Sequence, residues 1–268
     1  MDQQNIIITL TSDFGPGPYV GIMKGVILGL CPKAYLVDLE HDLAPQDILA
    51  GALALEQAIG VFPPGTVHLA VVDPGVGTGR RPLVVDGAGG LWVGPDNGIF
   101  TPVFLADPDA KAYEVTDETL FREPLSHTFH GRDVFAPTAA ALAMGRDPAT
   151  LGPLVSAPVR QDWPQPRVEG EALIGQVLMA DRFGNLTTNL PHHEVEAFLH
   201  GRTALISMAG GAVKGISNAY GQSEPGKFLA LFNSQGRLEI AVNQGSFLER
   251  LGLKPGNERG LEVRVEAA

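Results

Sequence analysis

The chain has 268 residues, 44% of them hydrophobic and 18% charged, with 30 acids against 19 bases for a formal net charge of -11. That length can bury a sizeable core in one large domain or two smaller ones, with the composition of an ordinary globular protein. The acidic balance argues against a general nucleic-acid surface, which needs a basic stripe against the phosphates, and the lone cysteine, Cys31, excludes an internal disulfide or a cysteine-based zinc site.

The start, MDQQNIIITLTSDFG, passes from an acidic stretch straight into a strand-like run, without the basic region and apolar core of a signal peptide. No segment offers about 20 uninterrupted apolar residues, so no spanning helix is predicted and a cytoplasmic location is expected. Asn5 to Leu10 (NIIITL) is β-branched and continuous, which predicts a strand buried on both faces. Gly21 to Leu30 has apolar residues at helical spacing and Pro32 beyond its end; Ala34 to Leu39 predicts a second strand. Asp47 to Val61 predicts a helix stopped by Pro63-Pro64, Val67 to Val72 (VHLAVV) a third strand, and Leu83 to Val85 with Leu91 to Val93 further sheet. This alternation argues for a parallel α/β sheet, with Val134 to Met144 as one more helix. From Leu151 to Gly170 prolines such as Pro153, Pro158, Pro164 and Pro166 stand among polar residues and read as a linker. Beyond it, Glu171 to Ala180, Thr203 to Met208, Phe228 to Phe232, Arg237 to Val242 and Leu261 to Val265 are strand-like with Gly-rich turns between, the pattern of a small β-sandwich or barrel. The expected architecture is an N-terminal parallel-sheet α/β domain at 1–152, a linker at 153–170 and a smaller β-barrel-like domain at 171–268.

Four polar clusters sit where apolar strands end. In Thr11-Ser12-Asp13-Phe14-Gly15, Asp13 is placed to hydrogen-bond a ribose diol, since ligands of open α/β sheets bind at the carboxyl ends of strands; the competing role is capping the next helix. Asp73-Pro74-Gly75-Val76-Gly77-Thr78-Gly79-Arg80-Arg81 follows VHLAVV, and its G-x-G-x-G spacing matches neither the dinucleotide nor the Walker motif. The acid at the strand end, with arginines seven and eight residues later, is its more telling feature. Gly94-Pro95-Asp96-Asn97-Gly98 is a turn, and Thr128-Phe129-His130-Gly131-Arg132-Asp133 leads His130 into a helix, where it could serve a site, a cap or the core. The scattered histidines carry no metal signature, and no G-x-S-x-G elbow is present. The DFG triplet lacks the phosphate loop, strand lysine and HRD of a kinase.

Together these clusters resemble the S-adenosylmethionine hydroxide adenosyltransferase family, related to fluorinases and chlorinases. The matching stretches are TLTSDFG at 9–15, VDLEHDLAPQDILAGA at 37–52, VVDPGVGTGRR at 71–81, GPDNG at 94–98, TFHGRDVFAP at 128–137, DRFGNLTTN at 181–189 and FNSQGRL at 232–238, which span nearly the whole chain. The resemblance implies a parallel α/β domain followed by a β-barrel-like one, and hydrolysis of S-adenosyl-L-methionine to adenosine and L-methionine without cofactor or metal. It implies a homotrimer whose substrate lies between the N-terminal domain of one subunit and the C-terminal domain of its neighbour. The family's catalytic Asp-Arg-His set maps onto Asp73, Arg80 and His130, with Arg81 as the alternative arginine. Asp13 would hold the ribose hydroxyls, Phe183 and Asn185 the adenine or ribose, and Ser234 the methionine end. In the halogenating relatives a tyrosine stands at the position of Asp73, a serine at that of Gly131 and an aromatic at that of Gln46; these departures favour water over halide. A halogenase using the same pocket, and a non-catalytic adenosyl-binding sensor, are the alternatives.

Overall fold

A computed structural model of the chain describes residues 6–209 and 211–268, which fall into two compact units, the first ending at Asp162 and the second starting at Trp163. The first unit opens on β1 (Ile7–Ser12); Asn5, included in the expected strand, lies outside the described residues. Helix α1 (Pro18–Leu30) begins with proline, which costs no hydrogen bond in a first turn, and buries Val20, Met23 and Ile27 at helical spacing. After β2 (Tyr35–Glu40), α2 (Ile48–Ala58) is capped by the Asp47 side chain, which accepts the Ala50 N–H at 2.9 Å. The helix stops short of the expected Val61 because Ile59 is already extended and Gly60 takes the left-handed conformation at φ 73°. Next come β3 (Val67–Val71), β4 (Pro82–Gly87) and β5 (Gly90–Pro95). The last two form a hairpin through Ala88 and Gly89, both at positive φ, as a two-residue turn that matches strand twist requires. Helix α3 (Thr101–Ala106) and β6 (Lys111–Glu114) are not foreseen by periodicity; a π-helical turn at Gly131–Phe135 leads into α4 (Ala136–Ala143).

The sheet runs β2-β1-β3-β5-β4-β6, parallel through β5 and antiparallel beyond it, because the tight β4–β5 hairpin can join only antiparallel strands. Residues along β3 alternate between two cores: Leu69 and Val71 pack with α1 and α4, while Ala70 and Val72 pack with residues of α2 and α3. From β1 the chain steps to β2 on one side and then to β3 on the other. The β1–β3 boundary is therefore the topological switch point, where α/β sheets form their ligand crevice. Residues 153–161 are tied to this unit: Pro153 O accepts the Glu114 N–H at 2.9 Å, the Val155 N–H reaches Ala112 O at 2.8 Å, and the Gln161 N–H reaches Thr101 Oγ1 at 2.8 Å.

The second unit contains β7 (Arg167–Glu169), β8 (Ala172–Ala180), β9 (Leu186–Pro191), α5 (His192–Leu199), β10 (Ala204–Met208), β11 (Gly211–Lys214), β12 (Phe228–Phe232), β13 (Arg237–Val242), α6 (Phe247–Arg250) and β14 (Glu262–Ala267). Its antiparallel path is β11-β10-β14-β8-β9-β13-β12, with β7 also on β8. The Ser217 N–H donates to Ala230 O at 2.7 Å, so the chain leaving β11 meets β12 at the far end of the path and nearly closes a barrel. Leu173, Val177, Leu186, Ile206, Ile240 and Val265 fill its core. Among the described residues no helix is long and apolar enough to cross a membrane.

Candidate active site

Ser12 and Val71 are register partners on adjacent parallel strands, so Asp13 and Asp73 leave the sheet one and two residues beyond the same rung, at the switch point. The loop after β3 folds back so that Arg80 faces Asp73: its Nε donates to Oδ1 at 3.0 Å and to Oδ2 at 2.9 Å, and its Nη2 donates to Oδ2 at 2.5 Å. Both side chains are largely removed from solvent, 10% and 5% exposed, so screening is weak and the pair is held tightly. The return depends on Gly77, at φ 74°, where a Cβ would stand 2.3 Å from the carbonyl oxygen of His127. The glycine-rich character of this loop thus serves a close packing of two backbones.

His130 arrives from the π-helical turn that precedes α4, and its Nδ1 lies 2.8 Å from Arg80 Nη2. A guanidinium has no acceptor, so Nδ1 must accept and the neutral ring carries its proton on Nε2. That Nε2 is buried and has no hydrogen-bond partner among the described residues. Burial first, and then the Arg80 charge, hold the imidazole below its usual value, outweighing the carboxylates of Asp73 and Asp133. The assembly therefore offers a carboxylate and a neutral imidazole N–H around one fixed cation. Asp133 anchors this loop: it is fully buried, Oδ1 accepts Arg132 Nε at 2.6 Å, and Oδ2 accepts the Ser126 N–H at 2.9 Å. Beside it, Phe14, Tyr19 and Phe129 form a trio of tilted and edge-on rings 5.2 to 5.9 Å apart.

Arg81 points elsewhere. It pairs with the buried Asp96 of the GPDNG turn and donates to Ala157 O at 3.0 Å, while Asp96 Oδ1 accepts the Val159 N–H at 2.8 Å. Asp13 does not cap α1, whose N-cap is Gly17 without any side-chain hydrogen bond; its Oδ2 instead accepts the Gln46 N–H at 2.7 Å.

The second unit carries the other three candidates. Asp181 Oδ1 accepts the Phe183 and Asn185 N–H groups, each at 2.9 Å, and Oδ2 accepts Asn185 Nδ2 at 2.9 Å. This turn buries Asn185 and leaves Phe183 75% exposed, a large apolar ring held out to solvent. Ser234 is exposed on the β12–β13 turn. The registers Leu186↔Ile240 and Pro191↔Arg237 put Asn185 and Ser234 at opposite ends of the β9–β13 pair. Between them lies a group that motif reading passes over. Glu239 is 4% exposed, Tyr220 donates to its Oε1 at 2.6 Å, and Asn233 Nδ2 reaches Oε2 at 3.3 Å. Burial pushes its carboxyl up and the Asp181 charge adds to this, against the two hydrogen bonds. The available signal was a lone acid inside the apolar run RLEIAV at 237–242.

Residues 8–152 match the SAM hydroxide adenosyltransferase N-terminal domain and residues 175–259 the corresponding C-terminal domain. The chain is 42% identical over 255 residues to a protein of Thermus thermophilus named (R)-S-adenosyl-L-methionine hydrolase, covering 91% of this chain and 95% of the other. A protein of the same name from Salinispora tropica is 37% identical, covering 93% and 95%. Fluorinases are more distant, 29% identical for that of an Actinoplanes species, covering 94% of this chain and 96% of the other. The crystal structure of an uncharacterized conserved protein from Thermotoga maritima superposes with a TM-score of 0.89 at 34% identity, covering 96% of this chain and 99% of the other.

Proposed function

The chain belongs to the SAM hydroxide adenosyltransferase family, and we propose that it is a hydrolase converting S-adenosyl-L-methionine and water to adenosine and L-methionine. The observation that carries this reading is the Asp73–Arg80–His130 assembly at the switch point. Binding an adenosyl group does not require an activated water, whereas an acid, a fixed cation and an oriented imidazole together suit one.

The reaction is an in-line displacement at the ribose C5′. The oxygen–C5′ bond forms as the C5′–sulfur bond breaks, methionine leaves as a neutral thioether, and the water gives up one proton. The sulfonium is already an activated leaving group, so the catalytic demand falls on water, whose pKa in bulk is about 15.7. Arg80 remains cationic and stabilises incipient hydroxide, while the free Nε2–H of His130 donates to its oxygen. Asp73 Oδ1 takes one hydrogen bond from Arg80 while Oδ2 takes two, so Oδ1 keeps acceptor capacity for the water proton. Asp13 holds the ribose diol, Phe183 and Asn185 the adenine or ribose, and Ser234 the methionine end. The tyrosine of halogenating relatives is replaced by Asp73, and their serine by Gly131, where a side chain would meet Met23 Sδ at 3.0 Å and require it to shift. Following the name of the curated relatives, we extend the proposal to the (R) sulfonium epimer. We further propose a cytoplasmic homotrimer with active sites shared between subunits, as the family resemblance implies.

The test incubates the purified protein with each sulfonium epimer in turn and separates the products. Equimolar adenosine and methionine from the (R) epimer are expected, with oxygen from isotopically heavy water at the adenosine 5′ position and no 5′-halo-adenosine when chloride or fluoride is added. Methylthioadenosine, a methylated acceptor, or halogenated product at a comparable rate would each overturn the assignment.

A further inference from the structure

Asp13 is held by chain that follows β2. Its Oδ2 takes the Gln46 N–H at 2.7 Å, and Gly15, two residues on, donates its N–H to His41 O at 2.7 Å. Gln46 itself sits at φ 66°, a conformation that a non-glycine residue keeps only when its surroundings over-determine it. The far end of this turn is fixed by Asp47 capping α2. The near end is fixed by a chain of side chains. Ser12 Oγ lies 2.7 Å from His41 Nδ1, His41 Nε2 lies 3.0 Å from Asp38 Oδ1, and Asp38 Oδ2 lies 2.6 Å from Lys24 Nζ.

A carboxylate only accepts, so His41 Nε2 donates to Asp38, and in the neutral ring Nδ1 accepts the Ser12 hydroxyl proton. The order Ser–His–Asp is one that can activate a serine nucleophile, but Ser12 is 0% exposed, so no reacting carbon can reach its Oγ. Ser12 immediately precedes the Asp13 loop, and Lys24 lies on the helix that follows it. The chain of hydrogen bonds thus grips the loop from both sides through His41. The Lys24–Asp38 pair, 29% and 47% exposed, adds little by itself, which leaves the part-buried Ser12–His41 link as the main tie.

We propose that Ser12, His41, Asp38 and Lys24 form a positioning relay that sets the orientation of Asp13 and hence how strongly the protein distinguishes a ribose diol from a sugar without one, a role that rests on the reading of Asp13 given above. His41 is a positioning residue: it acts on the ligand through the loop.

The experiment compares calorimetric binding of adenosine and 2′,3′-dideoxyadenosine to the full-length wild type, Asp13→Ala, His41→Asn and Asp38→Asn. A hydrogen bond to an ionised group predicts a wild-type preference for adenosine on the order of tenfold to a hundredfold, erased in Asp13→Ala. In His41→Asn the amide keeps a partner for Ser12 but loses Asp38, and the preference should shrink several-fold with dideoxyadenosine affinity unchanged. Asp38→Asn, a change at a half-exposed side chain, should do the same more weakly and carries the test if His41→Asn does not fold. A diol preference unaltered in the folded variants, or equal weakening of both ligands, overturns the relay while leaving the hydrolase reading intact. A wild type that binds adenosine with no diol preference removes the ribose role of Asp13 and the relay with it.

Discussion

Arg80 and Arg81 are neighbours that serve different carboxylates: Arg80 bridges Asp73 and His130, whereas Arg81 closes on Asp96. Their substitution should therefore separate chemistry from stability. Asp73→Asn and Arg80→Ala should each lower kcat on the order of a hundredfold or more, as losses of proton acceptance and charge stabilisation do elsewhere, with substrate binding less affected. Arg81→Ala should leave kcat within a few-fold and lower stability by roughly 1–3 kcal/mol, because the buried Asp96 loses its cation but keeps the Val159 N–H. Steady-state kinetics and denaturant unfolding on the same three variants check this. An Arg81→Ala protein that is stable and dead would reverse the roles of the two arginines. Motif spacing leaves that choice open, since it carries no information on which way adjacent side chains face. It also leaves open the tautomer of His130, which follows only from Arg80 lying against Nδ1.

Among the elements, those that bury a continuous apolar run were legible. β1 and β3 stand close to where NIIITL and VHLAVV predict them, because a strand covered on both faces shows its burial directly in composition. β9 was hidden for the converse reason. Its central Thr187, Thr188 and Asn189 are buried but polar, with partners such as Leu238 O, which accepts the Thr188 hydroxyl at 2.7 Å, so no continuous apolar run marks it. His68 shows what such a polar residue does inside β3. It is 3% exposed, stacks on Trp92 at 4.0 Å between ring centroids, and shares a 2.8 Å hydrogen bond between Nδ1 and Thr9 Oγ1. Burial lowers its pKa to about 4, below its value in the unfolded chain. The neutral ring therefore contributes stability that is fully present above about pH 6.5 and is lost as pH falls towards about 4. The shift corresponds to roughly 3 kcal/mol. His68→Phe keeps a stacking ring without the titration, so denaturant unfolding from pH 7 to 4 should give a flatter stability profile than wild type, even if the variant is less stable at pH 7. Parallel profiles for the two proteins would show that His68 is not the group responsible.

Over the whole chain, the candidate ligand groups divide between the units: Asp13, Asp73, Arg80 and His130 in the first, and Phe183, Asn185 and Ser234 in the second. Phe183 is 75% exposed, whereas Asp73 and Arg80 are largely buried. In the proposed trimer each site joins the first unit of one subunit to the second unit of the next, a head-to-tail contact that closes after three steps. Asp73→Asn then damages one wall and Asn185→Ala the other. Each variant alone should be inactive or nearly so. In trimers reassembled from equal amounts of the two, a site is intact when an Asn185→Ala chain supplies the first unit and an Asp73→Asn chain the second, which random mixing gives at roughly a quarter of the interfaces. The reassembled mixture should therefore recover on the order of a quarter of wild-type specific activity, and trimers verified as mixed by mass and differential tagging about a third, whereas mixing without subunit exchange should recover none. If both walls came from one chain, no mixed trimer could contain an undamaged site, and activity would stay at the level of the single variants at every mixing ratio. The dependence on ratio adds a second check: recovery should peak at equal amounts and fall symmetrically to either side, because each intact site needs one chain of each kind.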